Sequence, residues 1–306
     1  MHEKDRTLAG IGLMLLGIFL FSLNDAGGKW LVQTFSVGQV LLIRSIAALC
    51  LMMPFIWNMG VGVIQKAERP GLQLLRVVFA TFEVAAFYWA VTYLPLADVT
   101  IFYLAVPIYV AALAAPFLGE RLDLPRIAAI AAGFVGVLVV LRPSAATLTL
   151  PALIALVGSA LFAFQMIVTR KLKATSDATL ILTQTLGALV FGVVSTPFAW
   201  TPPSSLDIVF LSLLGVVAMV AHVCVNRSLK IAPASVVVPY QYTLLVWGVV
   251  LGYLVFGDVV QLWTLLGAGI IIGSGIVLFM IEQKAAKQAG AHKPDASVAL
   301  ATPTDV

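Results

Sequence analysis

Charge is what this chain has least of: Asp, Glu, Lys and Arg make up 10% of its 306 residues, against 61% hydrophobic residues and a mean hydropathy of +1.05. A soluble domain carries roughly a quarter charged residues, so water is not the solvent for most of this surface. Cysteine is nearly absent, and Cys50 and Cys224 both fall inside apolar runs, which excludes a disulfide framework. Of the three histidines only His222 lies in an apolar run. No second His, Cys or carboxylate stands beside it at ligand spacing, so no metal site is expected. There is no Gly-x-x-x-x-Gly-Lys-Ser/Thr loop, which excludes that route to ATP hydrolysis, and no His-Glu-x-x-His, Gly-x-Ser-x-Gly or Asp-rich pair. The net charge of +4 reflects where the loops lie rather than a nucleic-acid partner, and no cofactor is expected.

What the chain has in abundance is long apolar runs. Ten are long enough to span about 30 Å of hydrocarbon as helices: 8–32, 37–57, 71–93, 97–118, 125–141, 150–171, 178–199, 207–229, 234–256 and 262–281. The charged start followed by the run from Leu8 could be taken for a signal peptide. No small-residue cleavage site follows it, and equally apolar runs fill the rest, so it is expected to be the first span. After Gln283 the chain turns to Ala, Lys, Pro and Thr, and residues 284–306 are expected to form a disordered tail.

The fourth and ninth runs are alike. Leu94-Pro95-Leu96-Ala97-Asp98 aligns with Ala232-Pro233-Ala234-Ser235-Val236, and Gly119-Glu120 with Gly257-Asp258, each pair 138 residues apart. Asn24 and Lys29 of the first run fall on Gln165 and Arg170 of the sixth, 141 residues on. The chain therefore reads as two related halves, 8–141 and 150–281, of five spans each. Five is odd, so the second half enters the membrane from the opposite side and the repeat is inverted. All but three of the 18 Lys and Arg lie on the side of the N-terminus, the exceptions being Lys29, Arg142 and the intramembrane Arg44. The positive-inside rule places both termini in the cytoplasm. The expected fold is thus an all-α integral membrane protein of ten transmembrane helices in a 5+5 inverted repeat, in the cell (inner) membrane. Inverted repeats are the architecture of secondary transporters that work by alternating access.

The run Ser22-Leu23-Asn24-Asp25-Ala26-Gly27-Gly28-Lys29-Trp30-Leu31, with Leu42-Ile43-Arg44-Ser45, Tyr93-Leu94-Pro95-Leu96-Ala97-Asp98 and Gly119-Glu120-Arg121, resembles the EamA-type members of the drug/metabolite transporter superfamily. The resemblance covers nearly all of residues 8–281. It implies a ten-helix transporter of small organic molecules, with the first four helices of each half around a central cavity and the fifth at the periphery. It does not fix the cargo, since relatives move amino acids, riboflavin, nucleotide-like compounds and drugs. Val259 stands where a second Gly-Glu-Arg turn would have arginine, so any role of that arginine is not duplicated.

Ionisable groups inside a bilayer are functional candidates by default. Asp25 and Arg44 lie at matched depth, roughly 12 Å from the outer end of their spans, and read as an ion pair, with Lys29 one turn further out on the Asp25 face. The pair either holds two helices together or meets substrate. Glu83 is near the midplane, roughly 18 Å deep, and is the foremost candidate for proton coupling or substrate contact; a protonated acid bonded to a neighbouring helix is the alternative. His222 can handle protons or simply pack. Gln165, Tyr88, Trp89, Tyr103, Tyr240 and Tyr242 can line a cavity, although most aromatics in a bundle pack or sit at the interface. Pro107 and Pro239 interrupt corresponding spans of the two halves, as binding sites of inverted-repeat transporters do. Gly133, Gly136, Gly267, Gly269, Gly273 and Gly275 give small faces for close packing, within a monomer or across a homodimer.

The function that follows is a secondary transporter or facilitator of a small neutral or zwitterionic metabolite, an amino acid or a flavin-like compound such as riboflavin. Its partners are that solute, the lipid bilayer and, if uptake is coupled, protons. A membrane-embedded enzyme acting on lipid-linked substrates and a non-transporting scaffold are the alternatives from other classes.

Overall fold

A computed structural model of the protein describes residues 3–59, 69–118, 123–141, 149–172, 175–231 and 238–291. Among these residues all regular structure is helical. There are eleven α-helices: α1 (Glu3–Leu31), α2 (Val37–Met59), α3 (Pro70–Tyr93), α4 (Leu96–Leu104), α5 (Val106–Leu118), α6 (Leu124–Leu141), α7 (Leu150–Lys171), α8 (Asp177–Ser195), α9 (Ser205–Ile231), α10 (Thr243–Phe256) and α11 (Leu262–Ala291). Short 3-10 turns occupy Thr196–Phe198 and Val238–Tyr242. Seven of the helices are long and apolar enough to cross a membrane, and the shorter apolar stretches Leu96–Val110, Leu124–Val140 and Tyr240–Phe256 accompany them. Hydrocarbon offers no partner to backbone N–H and C=O groups, which is why these Leu-, Ala- and Val-rich runs close their hydrogen bonds within helices.

Each helix divides its surface between bundle and lipid. On α1, Leu16, Leu23 and Trp30 form an exposed stripe, while Met14, Ile18, Ala26 and Lys29 are buried on the other side. The main packing partners are α1 with α9, α3 with α7, α2 with α8 and α6 with α11. Each pair joins a helix from the first part of the chain to one from the second. The α6/α11 contact is made by backbones: a Cβ on Gly136 would lie 3.0 Å from the Gly267 carbonyl, and one on Gly267 would lie 2.7 Å from that of Gly136. Gly269 and Gly273 of the same helix meet nothing within 4 Å.

Two interruptions organise the middle of the bundle. At Ala105 the helix breaks and α5 starts one residue later, because Pro107 has no N–H to return to the carbonyl of Tyr103. In the second part of the chain the 3-10 turn Val238–Tyr242, which contains Pro239, leads into α10. The prolines sit at different depths, but the breaks correspond: Ala105 and Thr243, the first residue of α10, are 138 residues apart. The last helix departs from expectation. Its apolar span ends at Ile281 as expected, but the helix continues to Ala291, into the first residues expected to be tail. The Gly119-Glu120-Arg121 turn, Arg142 and the residues after Ala291 lie outside the described residues.

Candidate functional site

The polar groups of the first three helices meet in the middle of the bundle. Tyr88 of α3 is 1% exposed and accepts a hydrogen bond from Arg44 Nη1 of α2. Its hydroxyl donates in turn to Asn24 Oδ1 of α1 at 3.1 Å, and Asn24 Nδ2 donates to the Leu214 carbonyl of α9 at 2.7 Å. Every donor in this relay points the same way, from guanidinium to backbone, so each atom's bonding capacity fits the next. The Arg44 guanidinium also lies over the Tyr88 ring, 5.4 Å from its centre. Gly28 makes room for that ring, since a Cβ there would overlap the Tyr88 side chain.

Asp25 and Glu83 stand beside this relay, and together with Arg44 they act on one another's charge. All three are half-buried, between the enclosed core and the exposed faces of their helices. No Asp25–Arg44 ion pair closes among the described residues: the guanidinium turns to Tyr88 instead. Tyr103 of α4 donates to the Glu83 backbone carbonyl at 3.3 Å. Phe87 packs edge-on to both Tyr88 and Tyr103, with centroids 5.8 and 5.2 Å apart, and Phe162 of α7 lies 6.2 Å from Tyr103. The result is one cation and two carboxyl groups against a wall of aromatic edges. Of these rings Tyr103 and Phe162 are only half-buried, and such rings can hold a planar solute while the few polar groups orient it.

The other sequence candidates go elsewhere. Lys29 lies one turn beyond Asp25 on α1, as the spacing predicts, but its charge is taken up in an ion pair with Asp258, Nζ to Oδ2 2.6 Å. Trp89, next to Tyr88 but turned about 100° away on the helix, packs at a tilt against the exposed Tyr93, ring centroids 4.8 Å apart. Tyr240 packs on Met14 and Ile18, and the Tyr242 hydroxyl points at Gly275 of α11. His222 Nδ1 donates to the Ala218 carbonyl of its own helix at 2.8 Å and meets Phe21 edge-on, which is a packing arrangement. Gln165 belongs to a second polar cluster around Arg76 of α3.

Arg76 is 6% exposed, and each of its three nitrogens is used: Nε donates to Thr169 Oγ1 at 2.9 Å, Nη1 to the Leu180 carbonyl at 3.0 Å and Nη2 to Gln184 Oε1 at 3.2 Å. Gln165 Nε2 donates to the same Gln184 oxygen at 3.3 Å, and Gln73 Nε2 to Thr175 Oγ1 at 2.9 Å. These bonds fasten α3 to α7 and α8. Reading Arg76 as a boundary charge missed this; the signal was its place two turns inside α3, one turn beyond Gln73. Asn24 and Asp258 were noted only as repeat markers, because their partners are 190 and 229 residues away.

A multi-pass helical bundle with charged and aromatic side chains gathered at its centre is the layout of a solute carrier. Comparison with known proteins agrees. The sequence profile of the EamA-like transporter family matches residues 8–142 and again 149–280. The chain belongs to that family and is a membrane transporter rather than an enzyme. It is similar to the S-adenosylmethionine uptake transporter of Rickettsia conorii, 28% identical over 289 residues covering 93% of this chain and 97% of that one. It is also similar to the riboflavin transporter of Vibrio cholerae, 26% identical over 297 residues, 94% and 98% of the two chains. A solved crystal structure aligns with 92% of this chain and 99% of its own at a TM-score of 0.58 and 14% identity, which shows a shared fold.

Proposed function

We propose that this transporter carries a small neutral or zwitterionic metabolite with a planar ring across the inner membrane by alternating access, binding it between two inverted five-helix halves at Asp25, Arg44 and Glu83. The observation that carries the reading is the central cluster itself. One guanidinium suits a carboxylate, two carboxyl groups suit an ammonium or another cationic centre, and the edges of Phe87, Tyr88, Tyr103 and Phe162 suit a ring.

The helix pairing supports the repeat. Under an exchange of halves, the α1/α9 contact becomes the α7/α3 contact, while α2/α8 and α6/α11 map onto themselves. The two separate matches of the family profile, to 8–142 and 149–280, support the same division. With five spans each, both termini face the cytoplasm. The relatives' names bear on cargo: S-adenosylmethionine and riboflavin each join a fused heteroaromatic ring to a polar arm, and the former ends in an amino acid. An amino acid or a flavin-like compound is the class expected here, with Glu83 as the group through which protons couple.

The test is uptake by proteoliposomes of the purified protein, offered labelled S-adenosylmethionine, riboflavin and aromatic amino acids, each with and without a pH gradient. Saturable uptake of one class, abolished by Arg44→Met, is the expected result. Uptake that stays linear in concentration for every solute would remove the proposed cargo class.

A further inference from the structure

The ion pair of Lys29 with Asp258 lies away from the central cluster, at the end of α1 remote from the N-terminus. Its geometry is built by local rules. Gly257 ends α10 in the left-handed region, φ 70°, and the N–H groups of Gly257 and Asp258 return to the carbonyls of Tyr253 and Gly252. That turn aims the Asp258 carboxylate sideways, across to the other half of the chain. There Oδ2 accepts from Lys29 Nζ of α1 at 2.6 Å and from the backbone N–H of Leu96, the first residue of α4, at 3.1 Å. The free N–H groups of a helix start favour an anion, so Asp258 caps α4 from a distance of 162 residues in sequence. The ammonium also sits over the Phe256 ring, 4.5 Å from its centre, and the two side chains are only 8% and 19% exposed.

Three elements from two halves are therefore tied at one point. Two of them, α4 and α10, are short segments that end or begin at the helix breaks described above, and they pack on each other below the tie. Gly248 of α10 faces Thr100 of α4, where a Cβ would lie 3.1 Å from Thr100 Oγ1. Segments hinged at such breaks and fastened at their tips are the parts that must separate if the central site is to open at that end. A buried ion pair is a poor choice for permanent adhesion, because apolar contact of the same volume holds helices at least as well. It is a good choice for a contact that breaks and re-forms, since water re-solvates both charges when it opens. The other end of the bundle contrasts with it. Lys171 of α7 and Phe117 of α5 lie within one residue of the repeat counterparts of Lys29 and Phe256, yet Lys171 is exposed and 6.0 Å from the ring centre.

We propose that Lys29 and Asp258 are the outer gating pair of the transport cycle: closed, as here, they seal the site from outside while it faces the cytoplasm, and their separation frees α4 from α10 to admit solute. The orientation rests on the topology given under the proposed function, but the test needs no cargo. In a background with Cys50→Ala and Cys224→Ala, Thr100→Cys places a reporter thiol one turn inside the tie, at a position 2% exposed. Its labelling by a membrane-impermeant maleimide is then timed from outside and, in inverted vesicles, from inside. Lys29→Met and Asp258→Asn should each speed labelling from outside by at least about tenfold, since either removes the ion pair that holds the closed state. Asp258→Asn keeps an oxygen for the Leu96 N–H and so separates the ion pair from the helix cap. Lys29→Arg, which keeps the charge, should label at the parent rate. Unchanged labelling in both neutral variants overturns the proposal. So does equal acceleration from both faces, which is general loosening. Side-specific acceleration in a protein that moves none of the offered solutes would uphold the gate while sinking the cargo reading.

Discussion

Replacing Tyr88 by Phe removes one oxygen and nothing else from the best-packed side chain of the site. That oxygen accepts from Arg44 and donates to Asn24, so two bonds go together. A hydrogen bond to a charged group contributes about 1.5–3 kcal/mol and a neutral one about 1 kcal/mol. The two losses are not equally permanent. Arg44 is only half-buried and can recover water, whereas Asn24 is 5% exposed and its Oδ1 would be left without a donor. The net cost should be about 2 kcal/mol, roughly a 30-fold change in the unfolding equilibrium. Cys224 is 7% exposed and offers a reporter: in a Cys50→Ala background its reaction with a thiol-sensitive dye marks unfolding in detergent. A cycle with Asn24→Ala should show a coupling of about 1 kcal/mol, towards the upper end of interhelical hydrogen bonds in membranes. A Tyr88→Phe protein within about 0.5 kcal/mol of the parent, with effects strictly additive to Asn24→Ala, would refute the relay as a stabilising element.

Glu83→Gln keeps the shape and the Tyr103 contact but cannot exchange a proton; uptake should lose its response to a pH gradient while binding of cargo persists, and an unchanged pH profile would take proton coupling away from Glu83. Gly136→Leu drives a side chain into the α11 backbone and should lower stability by about 1–3 kcal/mol with little change in cargo affinity, measured by thermal unfolding and by binding side by side. Arg76→Lys keeps the charge but not the three-way fork to Thr169, Leu180 and Gln184; it should cost about 2 kcal/mol, and a stability equal to the parent would show that the fork is dispensable.

Much of the architecture is legible from residue order because a bilayer leaves a chain few options. Apolar length fixes where helices run, and the recurrence of Pro95 and Gly119 at Pro233 and Gly257 marks related segments. The proposed centre of the site rests on a similar reason: Asp25, Arg44 and Glu83 are charges inside apolar runs that no loop explains. Partner choice is not legible. Arg44 was read with Asp25 because depth matched, but depth says nothing of rotation about the helix, and the guanidinium found the Tyr88 hydroxyl instead. Lys29 was read against Asp25 by helical spacing, while its partner comes from a turn 229 residues away. The aromatics show the same limit. Tyr88 and Trp89 are neighbours in sequence, yet one is enclosed and the other belongs to the rim with Tyr93. Helical rotation, set by packing, decides which of two adjacent rings turns to the centre of the bundle.

The α6/α11 pair has a practical use. Its two backbones touch at Gly136 and Gly267, and any sliding between them would drive Val140 or Ile271 into the opposite helix. This pair is the natural reference frame of the molecule. Spectroscopic probes on the lipid-facing sides of α6 and α11 would keep a constant separation through a turnover, and every distance measured from them to α4 or α10 would report movement of the working parts alone.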